Sequence, residues 1–174
     1  DDIFFQAEEA QNKHFEAVPE IVEKYMKKIS EHTGRNYAPF TYIGAPDAER
    51  VIVAMGSVTD TITETINTLV ARGEKVGLIK VYLYRPFSQK YLEAVLPATV
   101  KKIAVLDRAK EVGTREPLFL DVCYALRNHK DITFIGGRYG LSSKDTNPSH
   151  INAVFEELKK DAPKEEFTIG IEDD

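Results

Sequence analysis

A glycine and a serine separate an apolar run from a polar stretch in VIVAMGSVTD, residues 51–60. In an α/β protein such a junction joins a strand to a helix N-terminus, where unpaired backbone N–H groups attract anions. The N–H groups of Gly56, Ser57 and Val58 are therefore candidates for an anion site. The three glycines of a dinucleotide loop and the lysine of a P-loop are missing, which favours a tight turn with a helix cap. The cap candidates are Ser57, Thr59 and Asp60.

A second stretch, GGRYGLSSKDTNP at residues 136–148, gathers glycines, serines and two basic residues after a predicted strand. Glycines let a backbone approach a partner closely, and Arg138 or Lys144 could meet a phosphate or a carboxylate. The alternative is a long connection that ends by capping the next helix with Asn147 or Ser149. Contact with a partner or ligand and simple connection are both compatible with this pattern.

Charged residues also follow two other predicted strands. Asp107 and Arg108 end the run AVLDR, and Arg85 ends YLYR. Ligand crevices of open α/β sheets form at the carboxyl ends of strands, so these side chains could serve a ligand. An ion pair or a loop cap accounts for them equally well.

Residues suited to catalysis or metal binding show no recognisable spacing. The single cysteine, Cys123, lies in the apolar stretch PLFLDVCYAL, which is typical of a buried thiol rather than a nucleophile. One cysteine cannot supply the thiolates of a zinc or iron–sulfur site. The four histidines lack metal-ligand spacing and are predicted to be exposed. They are His14, His32, His129 and His150. We therefore predict neither catalytic residues nor a metal site.

Composition excludes several classes of partner. The chain has 174 residues, 28 acidic against 23 basic, and a net charge of −5, with no basic block that could follow a phosphate backbone. Nucleic acid is therefore not expected as a partner. A membrane is not expected either, because no apolar run is long enough to span a bilayer. A reducing, cytoplasmic location is expected from the cysteine count. The absence of an initiating Met and the abrupt end of the sequence suggest an excised piece of a longer protein.

Strands and helices are predicted to alternate through most of the chain. Runs such as VIVAM, VGLIKVYL and KIAVL are almost continuously apolar, which is typical of parallel strands buried on both faces. We expect a three-layer α/β/α sandwich with a mainly parallel sheet of five strands. The predicted strands cover residues 51–55, 76–83, 102–107 and 132–135, with an antiparallel edge strand near 40–43. The predicted helices cover residues 60–71, 88–95, 117–128 and 149–160.

The two ends of the chain require separate treatment. Apolar residues between Phe15 and Ile29 follow helical spacing, but Pro19 interrupts them. The pattern fits either one kinked helix or two helices, and we predict a short helix before Pro19 and a second helix beginning at it. Residues 1–34 then form a helical segment and 35–162 the α/β domain. Residues 163–174 begin a linker or strand toward a following domain, and their strand, in FTIGIEDD, is expected to pair late or not at all.

Several stretches together resemble the pyruvate:ferredoxin (flavodoxin) oxidoreductase family. They are YIGAPDAERVIVAMGSVTDTI, GLIKVYLYRPFS, KKIAVLDRAKE, EPLFLDV and GRYGLSSKD. Their order and spacing resemble the second domain of those enzymes, which is similar to the C-terminal domain of transketolase. The stretch KEVGTREPLF departs from the longer, more glycine-rich family pattern, so no family role is carried over to residues 110–115.

The resemblance implies an enzyme that converts pyruvate and CoA to acetyl-CoA and CO2 while reducing ferredoxin or flavodoxin. It also implies thiamine diphosphate, magnesium and 4Fe–4S clusters held by other domains, so that this piece binds no cofactor and is inactive alone. The expected role is structural, packing on neighbouring domains and a homodimer partner. The interface candidates are Arg85, Arg138, Tyr139 and Lys144. Two alternatives remain: the same domain in an enzyme for another 2-oxoacid, or a free-standing α/β domain that binds anions or nucleotides.

Overall fold

The computed structural model describes residues 1–172, and the last two residues of the predicted C-terminal linker, 173–174, lie outside the described residues. Two leading α-helices are followed by six strands and four further α-helices. The helices are α1 (Asp2–Ala10), α2 (Asn12–Thr33), α3 (Val58–Ala71), α4 (Gln89–Val95), α5 (Pro117–Ala125) and α6 (Pro148–Lys159). The strands are β1 (Phe40–Gly44), β2 (Arg50–Met55), β3 (Val76–Val81), β4 (Lys102–Asp107), β5 (Thr133–Arg138) and β6 (Glu166–Thr168).

The strands form one sheet in the order β1-β3-β2-β4-β5-β6. Strand β1 runs antiparallel to β3 at one edge, as predicted, and the remaining pairs are parallel. The predicted three-layer, mainly parallel α/β fold is confirmed, but the sheet has six strands rather than five.

The sixth strand is the one that was expected to stay unpaired. Residues Gly136, Gly137 and Arg138 of β5 align with the three residues of β6 in parallel. Phe167 of β6 is buried in the core, which anchors the strand against the sheet. The prediction that this strand pairs late or not at all is therefore wrong, because its partner lies far away in the sequence.

Both faces of the sheet are covered, which explains the continuously apolar strand sequences. On one face Ile52 and Leu78 pack with residues of α3 and α6, such as Ile62 and Phe155. On the other face alternate strand residues pack with residues of α4 and α5. These residues include Val53, Ile79, Leu92 and Leu118. Successive side chains of a strand point to opposite faces, so a strand between two helical layers needs apolar residues at every position.

The predicted helix break at Pro19 is wrong. Helix α2 continues through Pro19, and the boundary between the two leading helices lies at Gln11 instead. Proline lacks only one backbone donor, and the buried position of its ring offsets part of that loss. Gly34, with φ of 68°, ends α2 as predicted from the sequence.

Several element boundaries near the sheet's carboxyl edge differ from prediction. Strand β5 extends to Arg138, so GGR belongs to the strand and not to the following loop. Helix α6 begins at Pro148, and Asn147 caps it as predicted: its Oδ1 accepts from the backbone N of His150 at 3.1 Å. A side-chain nitrogen of His150, Nδ1, accepts in return from the Asn147 backbone N–H at 3.4 Å.

We predict that Gly137→Ala destabilises the sheet. A Cβ at this position would lie 2.5 Å from Cζ of Phe167 and 2.6 Å from Cδ2 of Leu106. Overpacking of this kind costs about 1–3 kcal/mol, which chemical denaturation would measure as a lower free energy of unfolding. Gly136→Ala is the control: its nearest contact is 3.1 Å, to Cδ2 of Phe119, so its loss should be smaller. Equal losses for both variants would contradict the role of Phe167 packing.

Candidate functional site

The candidate site is a cleft at the carboxyl edge of the sheet. Parallel strands β2, β4 and β5 end there side by side, and their following loops face one another. The cleft has a volume of about 330 Å³. Its walls include Ser57, Val58, Arg108, Tyr139, Ser143 and Lys144.

The turn between β2 and α3 forms one wall of this cleft. Gly56 has φ of 77°, a left-handed conformation that glycine adopts without strain, so the predicted tight turn is present. Ser57 occupies the cap position of α3, but its side chain makes no capping hydrogen bond. Instead the hydroxyl of Thr59 donates to the Gly56 carbonyl at 2.8 Å, and Asp60 lies 3.5 Å from Nζ of Lys80. The N-terminal end of α3, at Ser57 and Val58, lines the cleft.

We predict that Gly56→Ala lowers the free energy of unfolding by about 1 kcal/mol, because a residue with a Cβ resists the left-handed conformation. A Cβ would meet no atom within 4 Å, so the loss is a backbone effect alone. Asparagine adopts the left-handed conformation more readily than alanine does, so Gly56→Asn is the matched control. Denaturation curves should rank the three proteins glycine, asparagine, alanine; an alanine variant as stable as the wild type would contradict this assignment.

The opposite wall is built by the ends of β4 and β5. The Tyr139 hydroxyl donates to the carbonyl of Met55 at 3.5 Å, and Nε of Arg108 donates to the Gly140 carbonyl at 2.9 Å. Tyr139 is buried, and that burial raises the pKa of its phenol. Two serines of the loop after Gly140 have positive φ. The loop is therefore held in a defined but strained shape.

Asp107 is buried beside the cleft and serves the fold. Its carboxylate accepts from the backbone N–H groups of Leu118 at 3.0 Å and Phe119 at 3.1 Å, at the start of α5. Burial raises the pKa of Asp107, although these two hydrogen bonds act in the opposite direction. Of the ligand contact, the ion pair and the loop cap that the sequence left open for Asp107, the structure shows a cap.

Arg138 lies behind the cleft rather than in it. Its guanidinium contacts the carboxylates of Glu116 at 3.4 Å and Glu166 at 3.1 Å, and donates to the Thr168 hydroxyl at 3.2 Å. Glu116 is only 2% exposed and the Arg138 side chain 10%. This ion pair joins the start of α5 to strands β5 and β6.

The four predicted interface residues therefore occupy three places. Tyr139 and Lys144 line the cleft together with Ser57 and Val58. Arg138 is buried in the ion pair described above. Arg85 lies elsewhere on the surface, where it stacks over the Tyr84 ring at 3.9 Å and pairs with Asp121 at 2.7 Å.

Sequence reasoning missed the acidic partners of Arg138. Glu116 precedes Pro117 at the start of α5, and Glu166 begins β6, so both are separated from Arg138 by more than 20 residues. Glu166 was not expected near Arg138, because the C-terminal strand that contains it was predicted to stay unpaired. A glutamate directly before a proline that starts an apolar helix is the one local signal that could have drawn attention to Glu116.

The side chains of residues 1–172 were also compared with what a metal site and a reactive thiol require. Within that range no group of three or more His, Cys, Asp and Glu side chains is arranged to hold a metal ion. Burial raises the pKa of the Cys123 thiol to about 11, which keeps it protonated near neutral pH. No helix in the same range combines the length and apolar character needed to cross a bilayer.

Comparisons with known proteins give a consistent family. Residues 48–151 match the family described as pyruvate:ferredoxin oxidoreductase core domain II. The pyruvate:ferredoxin oxidoreductase of Moorella thermoacetica is 56% identical over 99% of this chain. The pyruvate-flavodoxin oxidoreductase of Rhodospirillum rubrum is 52% identical over 99% of this chain. The chain spans only 15% of the length of each of these two relatives.

A solved structure supports the fold. The 2-oxoglutarate:ferredoxin oxidoreductase from Magnetococcus marinus, solved with 2-oxoglutarate, coenzyme A and succinyl-CoA bound, superposes with a TM-score of 0.51 at 22% identity. The match covers 69% of this chain and 20% of that chain, and at this identity it bears on architecture alone. The family match across the centre of the chain and the identity over nearly all of it lead to one conclusion: the chain belongs to the pyruvate:ferredoxin oxidoreductase core domain II family.

Proposed function

We propose that this chain is a non-catalytic supporting domain of a pyruvate:ferredoxin or pyruvate:flavodoxin oxidoreductase. The identity of 56% over 99% of the chain to the Moorella thermoacetica enzyme carries this proposal. In the proposed reaction the whole enzyme converts pyruvate and CoA to acetyl-CoA and CO2 and reduces the electron carrier. The same proposal includes a homodimer partner and a cytoplasmic location.

The chemistry of the reaction is assigned to other parts of the polypeptide. Thiamine diphosphate, magnesium and 4Fe–4S clusters would supply decarboxylation and electron transfer there. The residues of this chain do not fit an iron–sulfur cluster, since Cys123 is the single cysteine. The described residues also offer no metal-ligand group that could hold magnesium. No step of the reaction is derived through residues of this domain.

The charged groups at the sheet's carboxyl edge support a structural role. Asp107 is occupied by capping α5, and Arg138 is occupied by two glutamates. A general acid or base needs a proton-transferring group within reach of a substrate. Both side chains are instead buried and hydrogen-bonded within the fold. The side chains that remain open to solvent at the cleft include Arg108 and Lys144, two basic groups suited to contact with a phosphate or a carboxylate.

The substrate is tested by assaying the full-length protein that contains this chain. With CoA and an oxidised carrier, pyruvate should support carrier reduction far better than 2-oxoglutarate. Acetyl-CoA is the product to be identified by mass spectrometry. A preference for another 2-oxoacid would replace pyruvate in the proposal and leave the supporting role intact. Absence of any 2-oxoacid activity would remove the enzymatic proposal.

A second candidate function is binding of an anion in the cleft. It is favoured by one observation: Arg108 and Lys144 line the same cleft as the N-terminus of α3, at Ser57 and Val58. The backbone N–H groups of Gly56, Ser57 and Val58 could hold a phosphate or a carboxylate there. Calorimetry with phosphate, CoA and nucleotides tests this function, and the Arg108→Ala variant is its control. Heat from none of the three ligands would exclude it.

A further inference from the structure

Large apolar side chains lie exposed along the two leading helices, which we call the N-terminal arm (α1 and α2). Of the 13 large apolar side chains that are exposed in residues 1–172, seven belong to this arm. They are Ile3, Phe4, Phe5, Phe15, Ile21, Tyr25 and Ile29. Exposed apolar residues are normally scattered singly, whereas a concentration of them marks an interaction surface.

Helix α2 contacts the rest of the domain through a different side. Glu20 pairs with Lys90 at 3.2 Å, and Glu23 accepts from the Tyr91 hydroxyl at 2.9 Å. The residues spaced four apart at 21, 25 and 29 form an apolar stripe along one side of the helix. At 100° per residue, this stripe is centred roughly 90° around the helix from the buried Pro19 and the half-buried Val22 and Met26, which define the side covered by the domain. The stripe thus lies beside the covered side of α2, and its side chains remain about half exposed.

Helix α1 has no buried residue of its own. It contains nine residues and contacts α2, while Phe4 and Phe5 are 70% and 66% exposed. Helices shorter than about 12 residues are marginal in water, and in proteins their stability comes from packing of an apolar face. Helix α1 therefore needs a packing surface beyond this domain.

We infer that the N-terminal arm docks, through the apolar stripe and α1, onto another domain of the same polypeptide. The inference rests on the proposed function, in which this chain is one domain of a longer enzyme. The Moorella thermoacetica relative aligns with 99% of this chain, yet the chain covers 15% of that relative. The family match covers residues 48–151, so the arm lies outside the matched residues. A covalently tethered neighbour is present at high effective concentration and favours docking over association of separate copies.

The rim of the stripe indicates the chemistry of the docking surface. Lys24 and Lys28 border the stripe, and Nζ of Lys28 lies 5.4 Å from the centroid of the Tyr25 ring. The opposing surface is expected to be apolar at its centre, with carboxylates at its edge facing these lysines.

Photo-crosslinking in the full-length protein tests this inference. A benzophenone amino acid replaces Tyr25 in one preparation and Lys27, on the opposite side of α2, in a control. Light-nitrogen and heavy-nitrogen chains are produced separately, mixed, unfolded and refolded together, and irradiated. The expected products join position 25 to residues of the same chain outside this domain, without light–heavy hybrids. Adding Ile21→Asp and Ile29→Asp should reduce their yield at least about tenfold, because charges are costly in an apolar interface.

Three results would overturn the inference. Light–heavy hybrids would show that a second copy of the protein covers the stripe. Equal cross-link yields from positions 25 and 27 would show that α2 has no preferred docking side. The absence of any cross-link would show that the arm is uncovered. Pyruvate turnover is measured on the same protein without the crosslinker. Turnover without the cross-link refutes the docking inference alone, whereas the cross-link without turnover refutes the proposed enzyme function alone.

Discussion

Replacing Arg138 with methionine is expected to lower the free energy of unfolding by about 3–5 kcal/mol, because it leaves a buried carboxylate without its partner. Glu116 is 2% exposed and has the Arg138 guanidinium at 3.4 Å. Methionine fills a similar volume but cannot neutralise that charge. Chemical denaturation of this chain, followed by circular dichroism, measures the loss as a lower midpoint at an unchanged slope.

Two controls isolate the unpaired charge as the cause. The double variant Arg138→Met, Glu116→Gln removes both charges and should recover at least half of the loss, since removing both partners of a buried pair costs less than removing one. Lys101→Met breaks an exposed pair with Glu49 at 3.2 Å and should cost less than about 1 kcal/mol. A double variant less stable than Arg138→Met would contradict this explanation.

Asp107→Ala is expected to lower the free energy of unfolding by about 3 kcal/mol, because two backbone donors lose a charged acceptor in a buried site. The donors are the N–H groups of Leu118 and Phe119. Asp107→Asn keeps one carbonyl oxygen as acceptor and should lose less. Asn147→Ala removes an exposed cap and is expected to cost about 1 kcal/mol. Equal losses of unfolding free energy in Asp107→Ala and Asn147→Ala would show that burial of the Asp107 cap does not increase its contribution to stability.

The same carboxylate predicts a pH dependence. Burial raises the pKa of Asp107 in the folded protein above its ordinary value. The folded state then binds this proton more readily than the unfolded state, so ionisation of Asp107 costs stability as pH rises through the folded pKa. Wild type should gain stability relative to Asp107→Asn as the pH is lowered through the range just above the ordinary aspartate pKa. A stability difference that does not change with pH would contradict this assignment.

The sequence predicted features that depend on neighbouring residues. Gly56 in a tight turn and the Asn147 cap were both found from local patterns. The apolar run around Val53 correctly indicated a strand covered on both faces. These features follow from backbone conformation and from the period of the side chains, which are visible within a short window.

Features that depend on distant partners were not predictable in this way. Arg138 was predicted as an interface candidate, whereas its ion pair within the domain was not foreseen, because its partners Glu116 and Glu166 lie 22 and 28 residues away. The pairing of β6 was missed for the same reason, because Phe167 finds its packing partners on strands earlier in the chain. At Pro19 the local rule was overridden by packing, since its ring is buried within a continuous helix.

The most direct test of the central claim compares the isolated chain with the full-length protein in one assay. Each is supplied with pyruvate, CoA, thiamine diphosphate, magnesium and an oxidised carrier, and acetyl-CoA is quantified. The proposed supporting role predicts acetyl-CoA from the full-length protein and none from the isolated chain, even when circular dichroism shows that the isolated chain is folded. Acetyl-CoA formation by the isolated chain would contradict it.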